Sequence, residues 1–191
     1  MLRIFKTYNF HLNNPSVKNK NISYSARPGD LESKDDFYII GQRLAVIESS
    51  LNNYNHSMYS FIQKQALPVW MRVNIANRFA TSSQEWVELF VLHNSGTHNN
   101  QWAIVDYKLY WNYVLQEVPK DDWRNLIWLI EQFFFITDKI DVTQDYLIRD
   151  NYFATYNFPY HREIFDLGNY SINNPHDPRE DIIRLNFLVK I

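Results

Sequence analysis

The sequence predicts an α+β fold in which helices pack on mostly antiparallel sheet. Three observations carry that expectation. Two β-rich runs, Phe37–Ile40 and residues 43–48, flank Gly41-Gln42 and read as a hairpin. Residues 57–92 then carry apolar side chains at helical spacing. Strand-like runs return at 101–110 and 126–136, without the strand–helix alternation of a parallel sheet. A chain of 191 residues can bury a sizeable core, and 46% hydrophobic with 21% charged residues marks a globular sequence.

Each element has a local reason. Residues 13–21 are polar, with Pro15 as punctuation, and read as a loop. Residues 22–26 alternate as a strand, closed by the turn signal Arg27-Pro28-Gly29-Asp30. Helices are expected over 57–65 and 69–80, with Pro68 at the first position of the second. Ser82-Ser83-Gln84-Glu85 is a capping box that starts a third helix through Trp86, Leu89, Phe90 and Leu92. That helix should stop near His93-Asn94-Ser95-Gly96. Over 101–110 alternation predicts a strand on which Asp106 and Lys108 share a face and can pair. The long apolar run 126–136 reads as one buried strand, with Glu131 at a bend or paired within it. A short helix over 141–149, a strand over 152–157 and a final strand from Ile182 complete the reading.

Composition excludes several functions. Lys plus Arg is 19 and Asp plus Glu is 21, so the net charge of −2 gives a nucleic-acid role no support. Cysteine is absent, which removes disulfides, thiolate zinc sites and any cysteine nucleophile within these residues. Gly29, Gly41, Gly96 and Gly168 are too scattered for a phosphate loop. The six histidines, at 11, 56, 93, 98, 161 and 176, form no HExxH pattern, so neither metal nor cofactor is expected. There is no GxSxG elbow, no window long and apolar enough for a transmembrane helix, and no signal peptide at Met1.

Asn94-Ser95-Gly96-Thr97-His98-Asn99-Asn100-Gln101-Trp102-Ala103-Ile104-Val105-Asp106-Tyr107-Lys108 resembles the NSGTxNNQWxIVDYK signature of the phospholipase B-like (lamina-ancestor-like) family. Other blocks agree in order. Residues 1–10 resemble MLRIxKxYNF, residues 25–29 and 35–39 resemble SxxPG and DDFYI, and Glu48-Ser49-Ser50 stands at a Glu-Thr-Thr. Residues 73–79 resemble VANRL with departures at Ile75 and Phe79, residues 155–159 resemble SYNxP with Thr155 for Ser, and Pro178-Arg179 resembles a PRAxIFRR block with Glu180 and Asp181 departing.

The resemblance implies part of an N-terminal-nucleophile (Ntn) hydrolase domain, a four-layer αββα sandwich, with residues 1–191 as one domain truncated at both ends. It implies a phospholipid acyl hydrolase whose cysteine nucleophile lies upstream of the MLRI block, and whose missing N-terminal part would be a partner of this chain. It implies a lipid or other acyl substrate and a lysosomal or secreted glycoprotein. The pocket residues it implies are Ser50, able to bond an amine or water, Asn157, able to donate to an oxyanion, and Arg179, able to bind a carboxylate or phosphate. Asn94, Thr97, Asn100, Trp102 and Asp106 of the signature are expected to be structural, locking a loop ahead of a strand. Glycosylation sequons begin at Asn21, Asn55 and Asn169. The alternatives are a non-catalytic truncated fragment or lipid-binding remnant, an amidase-type Ntn hydrolase, and an unrelated aromatic-rich module for ligands such as glycans.

Overall fold

Strands β1 (Ile4–Asn9), β2 (Asn21–Ala26), β3 (Phe37–Ile40), β4 (Leu44–Ser50), β5 (Asn100–Asp106), β6 (Ile127–Phe133) and β7 (Ile136–Asp141) form one sheet. The computed structural model describes residues 2–33, 36–41, 43–144, 153–155 and 157–171. Every strand pairs antiparallel with its neighbours in sequence, so the order is β1 to β7 without a crossover. Helices α1 (Val69–Phe79) and α2 (Ser83–Phe90) enter between β4 and β5; α3 (Tyr107–Leu115) and α4 (Arg162–Leu167) follow β5 and β7. The α+β architecture is therefore present, with α1 and α2 against one side of the sheet.

Pairing register decides what that side presents. Val46 faces Ile104 across β4 and β5, and Trp102 faces Ile130 across β5 and β6. These residues, with Ile22, Tyr24, Tyr38, Ile40 and Leu44, are buried against Val73 and Ala76 of α1 and Trp86, Val87 and Phe90 of α2. The rings of Trp86, Phe90 and Trp102 lie 5.0–5.6 Å apart, aromatic contacts worth about 1 kcal/mol each beyond area burial. Among the described residues the opposite face is covered only in part. Ala103, Leu129 and Ile127 are buried there with Trp123 and Leu126, and Leu109 and Tyr113 of α3 pack on them. Phe5, Ile39 and Ile47, on the β1–β4 half of that face, are 61%, 52% and 39% exposed.

Arg72 of α1 is buried among the core residues. Its Nε donates to the Leu92 carbonyl at 3.1 Å, and its guanidinium also bonds the Phe90 carbonyl, Asn94 Oδ1 and Gln132 Oε1. It thus satisfies the open carbonyl end of α2, where a helix leaves acceptors without partners. Burial lowers its pKa to about 10.

Several expectations are corrected. Residues 57–65 hold only a 3₁₀ segment, His56–Phe61, because Met58 alone is buried and no apolar stripe forms. The capping box operates with a shift: Ser82 Oγ accepts from the Glu85 amide at 3.1 Å, while the Glu85 carboxylate takes the Thr81 N–H at 2.7 Å. The helix it starts ends at Phe90, before Leu92. The strand over 101–110 stops at Asp106, whose carboxylate accepts the amides of Lys108 and Leu109 at 2.9 and 3.1 Å and caps α3. Asp106 and Lys108 do approach, at 3.9 Å, but across a helix start.

The apolar run 126–136 is a strand, a turn and the start of β7. Phe134 takes φ +52° in that turn. Asn99 Oδ1 accepts its N–H at 2.7 Å and Asn94 Nδ2 donates to its carbonyl at 2.6 Å, so distant side chains hold a turn that Gly or Asn usually makes. Gly96 (φ +74°) lies against the same turn, and a Cβ there would come within 3.1 Å of Phe134 Cα. Asp141, expected to open a helix, closes β7; residues 143–144 of that expectation are helical, in a π turn, and residues 145–149 lie outside the described residues. Residues 153–155 and 157 carry no strand, while 152, 156 and the strand expected from Ile182 lie outside the described residues. β1 and α4 were not expected.

Candidate functional site

Glu32, Ser33 and Asp36 meet β3, β4, α1 and the loop before β5 around a cavity of about 120 Å³. It is lined by the acids Glu32, Asp36 and Glu48, by Ser33, Ser50 and His98, and by Tyr38, Val69, Val73 and Trp102. The alternation of β4 explains the grouping. Glu48 and Ser50 are two apart and share the face covered by α1, where they stand opposite Trp102 and Asn100 of β5.

Glu48 is the electrostatic centre. Asn100 Nδ2 donates to its Oε2, and His98 Nε2 lies 3.8 Å from its Oε1. Burial raises the Glu48 pKa, His98 opposes that rise, and Asp36 adds to it. Tyr38 accepts the Ser33 N–H on its hydroxyl at 2.8 Å, and burial raises its phenol pKa. Two buried atoms beside this centre, Asn100 Oδ1 and Trp102 Nε1, have no hydrogen-bond partner among the described residues, an arrangement that costs stability until another group or a ligand or water supplies one.

Ser50 lines the cavity, and Asn157 Nδ2 donates to the Ser50 carbonyl at 2.6 Å. These two residues, 107 apart in sequence, therefore meet, Ser50 lining the cavity and Asn157 bonding its carbonyl without lining the cavity itself. Arg179 lies outside the described residues. Asn94 bridges Arg72, the Gly96 amide and the Phe134 carbonyl. The Thr97 carbonyl accepts from Gln132 Nε2 at 3.1 Å, Asn100 reaches Glu48, Trp102 is a core ring, and Asp106 caps α3. Of the sequons, Asn21 and Asn169 are exposed, whereas Asn55 is half-buried with its amide donating to the Leu167 carbonyl and accepting from Ser57 Oγ.

Sequence reasoning missed Glu48, Asp36 and His98 as pocket groups. The available signal was the period-2 spacing of Glu48 and Ser50 on a strand. It also left Glu131 undecided. That residue is fully buried in β6, and burial raises its pKa to about 7 against three hydrogen bonds that lower it. Among the described residues no group of His, Asp and Glu side chains could hold a metal ion, and no helix is long and apolar enough to cross a membrane.

Comparison with known proteins bears on descent. A family model described as Phospholipase B matches residues 1–176. Phospholipase B-like protein G of Dictyostelium discoideum is 38% identical over 178 residues, covering 90% of this chain and 28% of that protein. Phospholipase B-like 1 of Rattus norvegicus is 32% identical over 172 residues, covering 90% and 30%. Putative phospholipase B-like 2 of Mus musculus is 36% identical over 173 residues, covering 87% and 28%. The chain thus spans less than a third of the length of these relatives. One expectation is corrected by its own composition. Acyl hydrolysis by a cysteine nucleophile does not hold for these 191 residues, because they contain no cysteine to form the attacking thiolate. The match across residues 1–176 nonetheless settles descent: the chain belongs to the phospholipase B family.

Proposed function

We propose that this chain is a non-catalytic, ligand-holding part of a phospholipase B-like fold, which binds the polar end of an acyl lipid without cleaving it. The observation that carries the reading is the cavity at Glu48, Ser50 and Trp102 in a chain with no cysteine. At about 120 Å³ it falls well below the several hundred Å³ that enclose a whole drug-sized ligand. It suits a head group, with the acyl chain lying outside. Glu32, Asp36 and Glu48 favour a head group that donates hydrogen bonds, an ammonium or hydroxyl, over an anionic one.

The wider architecture we assign is one layer pair of an αββα sandwich, within a single domain. The exposed face bearing Phe5, Ile39 and Ile47 supports a second sheet packed there from elsewhere in the same fold. Exposed sequons at Asn21 and Asn169 support a secreted or lysosomal glycoprotein.

The test uses the purified chain with lysophosphatidylethanolamine below its micellar concentration. Saturable binding is expected, weaker in Glu48→Gln, with weaker binding again of lysophosphatidic acid to the parent chain and no release of fatty acid. Fatty-acid release that grows with time and enzyme concentration would refute the non-catalytic reading. Absence of binding would refute the pocket.

A further inference from the structure

Behind the cavity, on the other face of the sheet, four polar side chains stand in a row. Ser49 of β4 pairs with Gln101 of β5, Gln101 with Glu131 of β6, and Glu131 with Asp138 of β7. Nearby positions on this face, Ala103 and Leu129, are apolar and buried, so a polar row here requires partners.

The partners come from one distant stretch. Thr155 Oγ1 meets Ser49 Oγ at 2.7 Å. Gln101 Nε2 donates to the Phe158 carbonyl at 3.3 Å and to Glu131 Oε1 at 2.5 Å. Glu131 accepts the backbone N–H of Tyr160 on Oε1 at 2.6 Å and that of His161 on Oε2 at 2.9 Å. His161 Nδ1 lies 2.7 Å from Asp138 Oδ2. At its front end the same stretch places Asn157 on the Ser50 carbonyl.

We propose that Glu131 is a positioning residue: its buried carboxylate seats residues 157–161 on the sheet and so holds Asn157 on the carbonyl of Ser50, a residue that lines the cavity. The geometry supports this in two ways. A carboxylate that accepts two successive backbone amides fixes the path of the chain at that point, because both oxygens are aimed. The helix that follows has separate anchors: the Leu167 carbonyl accepts from Asn55, the Gly168 carbonyl accepts the Tyr54 N–H, and Tyr170 donates to the Asn52 carbonyl. Loss of the Glu131 contacts should therefore free residues 157–161 and leave α4 in place. The functional half of the proposal rests on the pocket reading above.

Two variants of Glu131, a third at Asn157 and two readouts test it. Glu131→Met removes both acceptors at similar volume; Glu131→Gln keeps one. In Glu131→Met the amides of Tyr160 and His161 should exchange with deuterium faster, on the order of tenfold for each hydrogen bond lost, while the Gly168 and Tyr170 amides keep their protection. In Glu131→Gln one of the two amides should accelerate, which decides the matter even if the Met variant does not fold. Unchanged exchange at both amides, or equal acceleration along α4, overturns the seat. Binding of lysophosphatidylethanolamine supplies the second readout. Affinity should fall severalfold in Glu131→Gln, and adding Asn157→Ala to it should cost little more, because both act through one contact. Independent, additive losses would overturn the link to Asn157. If the parent chain bound no lysophosphatidylethanolamine, the pocket reading would fall. If Asn157→Ala alone left affinity unchanged, only the link from the seat to the cavity would fall, and in both cases the exchange data would still decide the seat.

Discussion

Replacing Glu131 by Gln removes a titrating group from the middle of β6 and should change how stability depends on pH. The carboxyl is fully buried, and its pKa rises from the ordinary 4.5 to about 7. Burial is the largest cause; the bonds from Tyr160, His161 and Gln101 oppose it, and Asp138 of β7 adds to it. The folded chain therefore holds this proton more tightly than the unfolded chain does. The stabilisation is complete below about pH 4.5 and is lost as pH rises through about 7. A displacement from 4.5 to about 7, at about 1.4 kcal/mol for each pH unit, amounts to roughly 3 kcal/mol. Glu48, also raised, follows the same sign, and His161 faces Glu131 with a pKa lowered by burial and supported by Asp138. Subtraction of the variant from the parent largely cancels both. Urea unfolding of parent and Glu131→Gln at intervals from pH 4.5 to 8.5 reads the result. The difference in stability should move by roughly 3 kcal/mol against the parent as pH rises. A flat difference, or one that moves in the parent's favour, would refute the reasoning, since it would mean that the three hydrogen bonds balance or outweigh burial.

Two further substitutions probe the loop and the core. Gly96→Ala should cost about 2 kcal/mol in thermal unfolding, because it combines a left-handed φ with a Cβ pressed on the Phe134 backbone. Arg72→Met should cost about 3 kcal/mol or more in urea, since it strands the Phe90 and Leu92 carbonyls in the interior. Arg72→Lys should recover only part of that loss, because an ammonium lacks the planar fork that spans these acceptors.

The substitutions also separate what is local from what is not. Ser82 was legible as a helix start, and the β3–β4 hairpin as a turn, because caps and tight turns act over three or four residues. Ser50 and Asn157 were named from their motifs, but nothing in either stretch says that one donates to the other. α3 was hidden because Tyr107, Tyr110, Trp111 and Tyr113 favour strands, and only the bonds from the amides of Lys108 and Leu109 to Asp106 reveal the cap. The turn at Phe134 was hidden for a stronger reason. Its stability comes from Asn94 and Asn99, some forty residues earlier, and no local preference of Phe signals it.

By itself, then, the sequence determined the α+β class, the family and the absence of a cysteine nucleophile. Tertiary structure decided the sheet order, the acidic cavity and the Glu131 seat. Composition, motifs and short-range hydrogen bonds are properties of neighbouring residues. Cavity and seat arise from strand register, which sets Glu48 opposite Trp102 and Glu131 opposite Gln101 and Asp138 only once the sheet has formed.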